Sequence, residues 1–328
     1  MHYRHLILAA VCASGSYLWG AERTYTIANA SAAQARSELA LVVKAGLEIA
    51  VAQSGTDQRI LTISGSEEEL AAAEWLLREL DKPAPEAGEA RRASAAFTMN
   101  GVSDGTITVF YLKGGRSTQQ LQESATIIRS IADIRRVFTY NQTHAIAVRG
   151  TPGQIAAAEW IWRTLDDEPK AGAVEFSASL GSDNLLRAYH MPAEWSVQDL
   201  QEAAVVLRTT AELRRLFTYN RTRTIVTRGA DSAIAAANWL ASEIQRPASQ
   251  ALAVSEPFQM DDPRQEGVLR VFRIPARHDA AGLQGTAVDL RQQTQIRRIF
   301  TFNRPRMLVL RGTGVQIAEA GRILGAAQ

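Results

Sequence analysis

One cysteine, Cys12, is all the thiol chemistry in the 328 residues. It lies in the apolar run LILAAVCASGSYLW, so a chain that loses this segment has no disulfide, no thiol and no cysteine-based metal site. Histidine is scarce too: beyond the N-terminal segment only His144, His190 and His278 remain, and no His-x-x-x-His pair or carboxylate-rich loop stands at ligand spacing. No cofactor and no metal are therefore expected. A strong basic excess is missing: the net charge of +2 is too small for a dedicated nucleic-acid binder. The longest apolar run has 14 residues, short of the ~20 needed to span a bilayer as a helix. With 46% hydrophobic and 21% charged residues, the chain has enough apolar material for packed cores.

That apolar run follows a positive start, MHYRH, and ends in the small residues Gly20 and Ala21. The pattern reads as an export signal over residues 1–21, placing the mature protein outside the cytoplasm, and in the periplasm if the envelope is Gram-negative.

Repetition dominates the remainder. RRVFTYNQTHAIAVRGTPGQIAAAEWIWRTLD (135–166) recurs as RRLFTYNRTRTIVTRGADSAIAAANWLASEIQ (214–245) and RRIFTFNRPRMLVLRGTGVQIAEAGRILGAAQ (297–328). A more distant copy is RILTISGSEEELAAAEWLLRELD (59–81). The expected modules are 22–83, 105–168, 185–247 and 267–328. The segments 84–104, 169–184 and 248–266, rich in Ala, Pro, Gly, Ser and Glu, read as linkers.

Within a module the pattern reads strand, helix, strand, strand, helix. The first strands are TYTI (24–27), TITVFYL (106–112), LLRAYHM (185–191) and VLRVFRI (268–274). In the helix at 117–132, Leu121, Ala125, Ile128 and Ala132 form one apolar stripe. The FTYN strand follows, with Asn141, Asn220 and Asn303 opening a hairpin turn in left-handed geometry. Phe138, Phe217 and Phe300 read as core. After the second hairpin strand, Gly65, Gly150, Gly229 and Gly312 mark the turn into the last helix, capped by Ser66, Thr151, Asp231 and Thr313. The fold class is α+β: four tandem β-α-β-β-α modules, each a three-stranded sheet with two helices on one face.

AIAVRGTPGQIAAAEWIWRTLD and ILTISGSEEELAAAEWLLRELD share the form apolar–x–apolar–x–Gly–Thr/Ser, then a helix closing on Leu-Asp. This pattern resembles the N-terminal ring-building modules of the secretins of type II and III secretion and type IV pili. The resemblance covers all four modules and implies protein docking or ring formation outside the cytoplasm. Secretins continue into a β-rich pore domain, whereas the sequence here stops after the fourth helix, so the expectation is a docking protein without a pore.

Candidate contact residues follow from the repeats. Trp75, Trp160 and Trp239 hold one equivalent position, which Arg322 takes in the last module. At 100° per residue Trp160 points about 140° away from Ile155, off the helix's core stripe. It is expected to anchor a neighbouring module or a partner. The arginine pairs Arg135-Arg136, Arg214-Arg215 and Arg297-Arg298 are the other candidates. Charge also differs by module: residues 22–83 hold 6 Lys/Arg against 10 Asp/Glu, net −4, and residues 267–328 hold 10 against 3, net +7. The basic end could meet an acidic partner, an anionic surface or the acidic end of another copy. The adjacent acids Asp166-Asp167 and Asp261-Asp262 read as solvated at a helix end and in a linker. The expected function is a non-enzymatic scaffold with protein partners, itself or a secretin or other envelope component. The alternative is binding of nucleic acid or an anionic surface through the arginine pairs, and an enzyme with a site between modules comes last.

Overall fold

In the computed structural model, the described residues are 21–326 apart from 45–46, 52–59, 84–85, 87–88, 90–91, 169–171, 179, 182, 247–251, 263–264, 276–279 and 305. The expected export signal at residues 1–21, apart from Ala21, and His278 lie outside them. The chain divides into two compact units, Met1–Asp167 and Glu168–Gln328.

In the first unit, module 1 comprises β1 (Ala21–Thr26), α1 (Ala32–Val42), β2 (Glu48–Val51), β3 (Ile60–Gly65) and α2 (Glu67–Leu80). The next two strands, β4 (Arg92–Ala93) and β5 (Phe97–Thr98), lie in the segment expected to be linker. Module 2 follows with β6 (Thr106–Tyr111), α3 (Thr118–Ile131), β7 (Arg136–Tyr140), β8 (Ala145–Gly150) and α4 (Pro152–Asp166). The second unit opens with β9 (Gly172–Ser177). Module 3 then has β10 (Leu185–His190), α5 (Val197–Thr210), β11 (Arg215–Tyr219), β12 (Thr224–Gly229) and α6 (Asp231–Ile244). After β13 (Ala253–Val254) and β14 (Phe258–Gln259), module 4 has β15 (Val268–Arg273), α7 (Ala280–Thr294), β16 (Arg298–Phe302), β17 (Met307–Gly312) and α8 (Gly314–Ala326).

The expected order is therefore the observed one, and every sheet is antiparallel. The second hairpin strand is central: β3 lies between β1 and β2, β8 between β6 and β7, β12 between β10 and β11, β17 between β15 and β16. The linkers are more than loops. Short strands in them add to the outer edge of the first module strand, β4 and β5 on β6, β9 on β10, and β13 and β14 on β15. Covering this edge removes an unpaired row of backbone groups that would otherwise recruit other strands.

Modules 2, 3 and 4 are pinned internally by the same side chains. Gln122, Gln201 and Gln284 donate to the hydroxyls of Thr139, Thr218 and Thr301 at 2.7, 2.8 and 2.5 Å. Arg129, Arg208 and Arg291 donate to the carbonyls of Val137, Leu216 and Ile299 at 2.9, 2.6 and 3.3 Å. The first helix is thus fastened to the FTYN strand at both ends. The last helix opens with a capping box at Ser66 and at Thr151, and the reciprocal bonds of Thr313 and Gln316 match it. A Cβ on Gly150 would meet the Gln154 carboxamide at 2.8 Å, so the glycine leaves room for the box. Module 3 departs from the expectation: its N-cap is Ala230, without a side-chain bond, and Asp231 is already the first helical residue. The left-handed turn residues are His144, Arg223 and Arg306, with φ of 48°, 49° and 49°, not the asparagines. The asparagines accept from those residues' amides through their carbonyls.

The closing Leu-Asp of the last helix also has a structural task. Asp81 accepts from the amides of Ala28, Asn29 and Ala30, tying the first loop of module 1 to its last helix. Asp166 is buried, contrary to the expectation of a solvated acid, and pairs with Arg116 Nε at 3.0 Å and the Lys113 amide at 3.1 Å.

Candidate interaction surfaces

Each sheet has an inner face under its own two helices and an outer face, and the outer face decides what the repeats do. In module 2 the outer face presents Ile107, Val109 and Tyr111 from β6, Phe138 and Tyr140 from β7, and Ala145, Ala147 and Arg149 from β8. Helix α1 of module 1 packs over it, and one continuous core holds Leu39, Leu76 and Leu80 together with Ile107, Val109, Tyr111 and Tyr140. In the second unit α5 packs over β16 in the same manner, and one core joins Leu200, Val206 and Leu207 to Leu269, Val271, Phe302 and Val309. A module within a unit therefore lends its helices to the next module's sheet.

One arginine locks each junction. Arg149 is buried, and its guanidinium donates to the carbonyls of Val42 (3.3 Å) and Val43 at the end of α1. It also donates to the Asp104 carbonyl at 2.9 Å and carboxylate at 3.2 Å. Arg311 repeats this, donating to Thr210 O at the end of α5 (2.8 Å), Glu266 O (3.1 Å) and the Asp262 carboxylate (2.7 Å). A cation on the last carbonyls of a helix satisfies orphan acceptors and meets the negative end of the helix dipole. Burial and the neighbouring Arg136 lower the pKa of Arg149 from its ordinary value. These arginines of the RG dipeptide were not among the sequence candidates. Their signal was recurrence: Arg149, Arg228 and Arg311 precede the turn glycine, where module 1 has Ser64.

The sequence candidates divide into two groups. Trp75 and Trp239 lie half-buried at the junctions, their rings 5.7 Å from Phe97 and 5.5 Å from Phe258, aromatics of the added linker strands β5 and β14. Trp160 is also half-buried, with its carbonyl accepting from Thr164 at 2.8 Å. In each arginine pair the second residue is half-buried and the first exposed. Arg136 faces Asp104 at 3.6 Å, and Arg298 bonds Glu212 at 2.8 Å across the module 3–module 4 junction. Arg135, Arg214 and Arg297 point to solvent. The aromatic ranking also changes. Phe138, Phe217 and Phe300 are half-buried, whereas Tyr140, Tyr219 and Phe302 are fully buried. The Tyr140 hydroxyl accepts from the Ser31 amide at 2.7 Å and donates to Gln142 at 2.8 Å, and burial pushes its pKa up to about 12.

Part of the positive charge of module 4 is used within its own unit. Arg298 and Arg311 meet Glu212, Arg304 meets Asp199 at 3.1 Å, and Arg273 meets Glu243 at 2.7 Å. Burial alone would raise the Asp199 carboxyl, but hydrogen bonds from Ser196 and Arg304 hold it below its ordinary range.

One sequence match bears on the enzyme reading. Gly101-Val102-Ser103-Asp104-Gly105 has G-x-S-x-G spacing. A nucleophile elbow needs a strand-to-helix turn. Here the motif joins strand β5 to strand β6, with Ser103 exposed and the Asp104 carbonyl engaged by Arg149. His190 is buried with Nδ1 2.9 Å from the Thr224 hydroxyl, and burial lowers its pKa. Among the described residues no group of His, Cys, Asp or Glu is arranged to hold a metal ion, and no helix is long and apolar enough to cross a membrane.

No family model matches the sequence, and no curated protein matches it. Solved structures do. The chain is similar to the N-terminal domains of secretins. The N-terminal domain of XcpQ from Pseudomonas aeruginosa is 14% identical over 69% of this chain and all of that one, with a TM-score of 0.22. Aeromonas hydrophila ExeD is 13% identical over 89% of this chain and 59% of that one, with a TM-score of 0.17. The type II secretion secretin GspD of E. coli K12 is 10% identical over 89% of this chain and 58% of that one, with the same TM-score.

Proposed function

We propose that this chain is an exported, non-enzymatic scaffold of secretin-N-like modules that works by docking proteins in an envelope secretion or pilus-type assembly. The supporting observation is how the polar and aromatic side chains are spent. Arg149, Arg311, Trp75, Trp239, Tyr140 and Arg298 all join one module to the next, so the repeats serve to build a connected surface rather than a reaction centre. One pocket, lined by Tyr25, Ile27, Glu74, Leu77 and Arg78, has a volume of about 20 Å³, room for a single water. The outward-facing arginines Arg135, Arg214 and Arg297 recur at one position of three modules and are the contacts offered to an acidic protein surface. Trp160 is read as a further docking anchor.

The test is a mass measurement by light scattering on residues 22–328, alone and mixed with a purified secretin periplasmic region. Formation of a heavier species that weakens when Arg135, Arg214 and Arg297 are replaced by glutamate is the expected result. Failure to associate with itself or with the secretin at any salt concentration overturns the reading.

A further inference from the structure

Glu38 sits in the first junction with chemistry that the stacking does not use. It lies mid-way along α1, is completely buried, and both of its carboxylate oxygens lack a hydrogen-bond partner. Its counterpart in α5 is Ala203, so the position needs only a small side chain to fill the gap over the next sheet.

The groups around it are few. From module 2 come Tyr111 of β6 and Tyr140 of β7, whose pKa values are raised first by burial and further by the Glu38 charge. The facing residues of β8 are Ala145 and Ala147, and Arg149 is committed to the carbonyls at the end of α1. From the end of α2 come Glu79, Asp81 and Lys82, and from β4 Arg92, which lies over the Tyr111 ring with Lys82. Neither tyrosine has a proton to spare. Tyr111 donates to Glu79, and Tyr140 donates to Gln142. Lys82 and Arg92 are bonded to Glu79 and Glu89. An ionised Glu38 would thus be a buried, unpaired anion, whereas the protonated acid is tolerated. Burial raises its pKa well above the ordinary carboxyl value.

We infer that Glu38 is a pH-sensitive latch between module 1 and module 2, closed while its carboxyl is protonated and released when it ionises. The sign follows from linkage. The closed state binds the proton more tightly than the opened one, so the latch is intact at and below the ordinary carboxyl pKa. Its hold weakens as pH rises through and beyond that value, up to the raised pKa of the closed state. Opening would expose the outer face of the module 2 sheet, including Phe138 and Tyr140, outside the cytoplasm where pH is set by the surroundings.

The test is hydrogen exchange on residues 22–328, with protection factors for 32–42 and 136–140 followed from about pH 5 to about pH 9. The native chain should lose protection by up to about tenfold per pH unit within the titrating range, the most a single proton allows. Glu38→Gln keeps the shape without the charge and should show a flat profile. Glu38→Ala, which copies module 3, should do the same if the glutamine variant folds poorly. A native profile already flat, or an equal loss of protection in the variants, overturns the proposal. Exchange reads only the contact inside the first unit, so the outcome is independent of whether the chain binds a secretin.

Discussion

Two arginines at the open end of one hairpin, Arg135 and Arg149, mark the difference between a residue that holds the fold and one that is open to partners. Arg149 is buried with acceptors on two modules, while Arg135 is exposed. Replacing Arg149 or Arg311 by alanine leaves buried helix-terminal carbonyls and a carboxylate unpaired, and should cost about 3 kcal/mol in urea unfolding. Replacing Arg135, Arg214 or Arg297 should change stability by no more than about 0.5 kcal/mol. Equal losses in the two sets would contradict the division. Tyr140→Phe should cost about 1 kcal/mol by removing the acceptor of the Ser31 amide. The loss should appear as faster exchange at the start of α1.

At the scale of elements, the helix starts and linker strands carry the clearest expectations. Module 3 lacks the N-cap oxygen that Ser66, Thr151 and Thr313 supply to the others. Ala230→Thr should therefore stabilise the protein by about 1 kcal/mol, raising its urea midpoint. A loss of stability would show that the Ala230 side chain has no room for a hydroxyl. Trp75→Ala and Trp239→Ala should loosen β5 and β14, because each indole is the ring against which the strand's phenylalanine rests. Faster proteolytic cleavage at about residues 94–97 or 255–258, with a stability loss of about 2 kcal/mol, is the expected reading. These strands were not visible as strands in the sequence. With two residues each, they are too short for a period-2 pattern, and only pairing with β6 or β15 makes them extended.

At the scale of the molecule, the first module's sheet and the last module's first helix lack the apolar surfaces that pack modules together within each unit. The outer face of the module 1 sheet shows Glu22, Thr24, Thr26, Glu48 and Ala50 to solvent, with no arginine before its glycine. In module 4, helix α7 carries Thr286, Asp289 and Gln293 where α5 carries Ala203, Val206 and Thr210. Polar faces of this kind behave as caps in repeat proteins. Sedimentation over a hundredfold concentration range should therefore show no open-ended growth of chains, and any oligomer should be closed and of fixed mass. Cores shared between modules also predict where the fold can be cut. Residues 22–167 should unfold as one cooperative transition, while residues 22–83 alone should lack a stable fold, since α1 would expose the side that α5 buries in the second unit. A stable, cooperative fragment 22–83 would argue against the shared core.

The sequence by itself determined the module: its element order, the inward stripe of each helix, the capping threonines and serines, and the turn into the last helix. These are local patterns of period two and period 3.6, set by backbone geometry and burial within about 60 residues, and repetition made each legible several times over. Only the tertiary structure decided what lies outside a module. Arg149 and Tyr140 alternate along a strand like any outward residues, and no local pattern shows that the outward face is covered by another helix layer. Glu38 is an acid within a helix, and it is buried because the neighbouring sheet closes over it. Long-range packing sets these roles, since the free energy of a polar group depends on whether water or a partner surrounds it, and that is a property of the assembled modules.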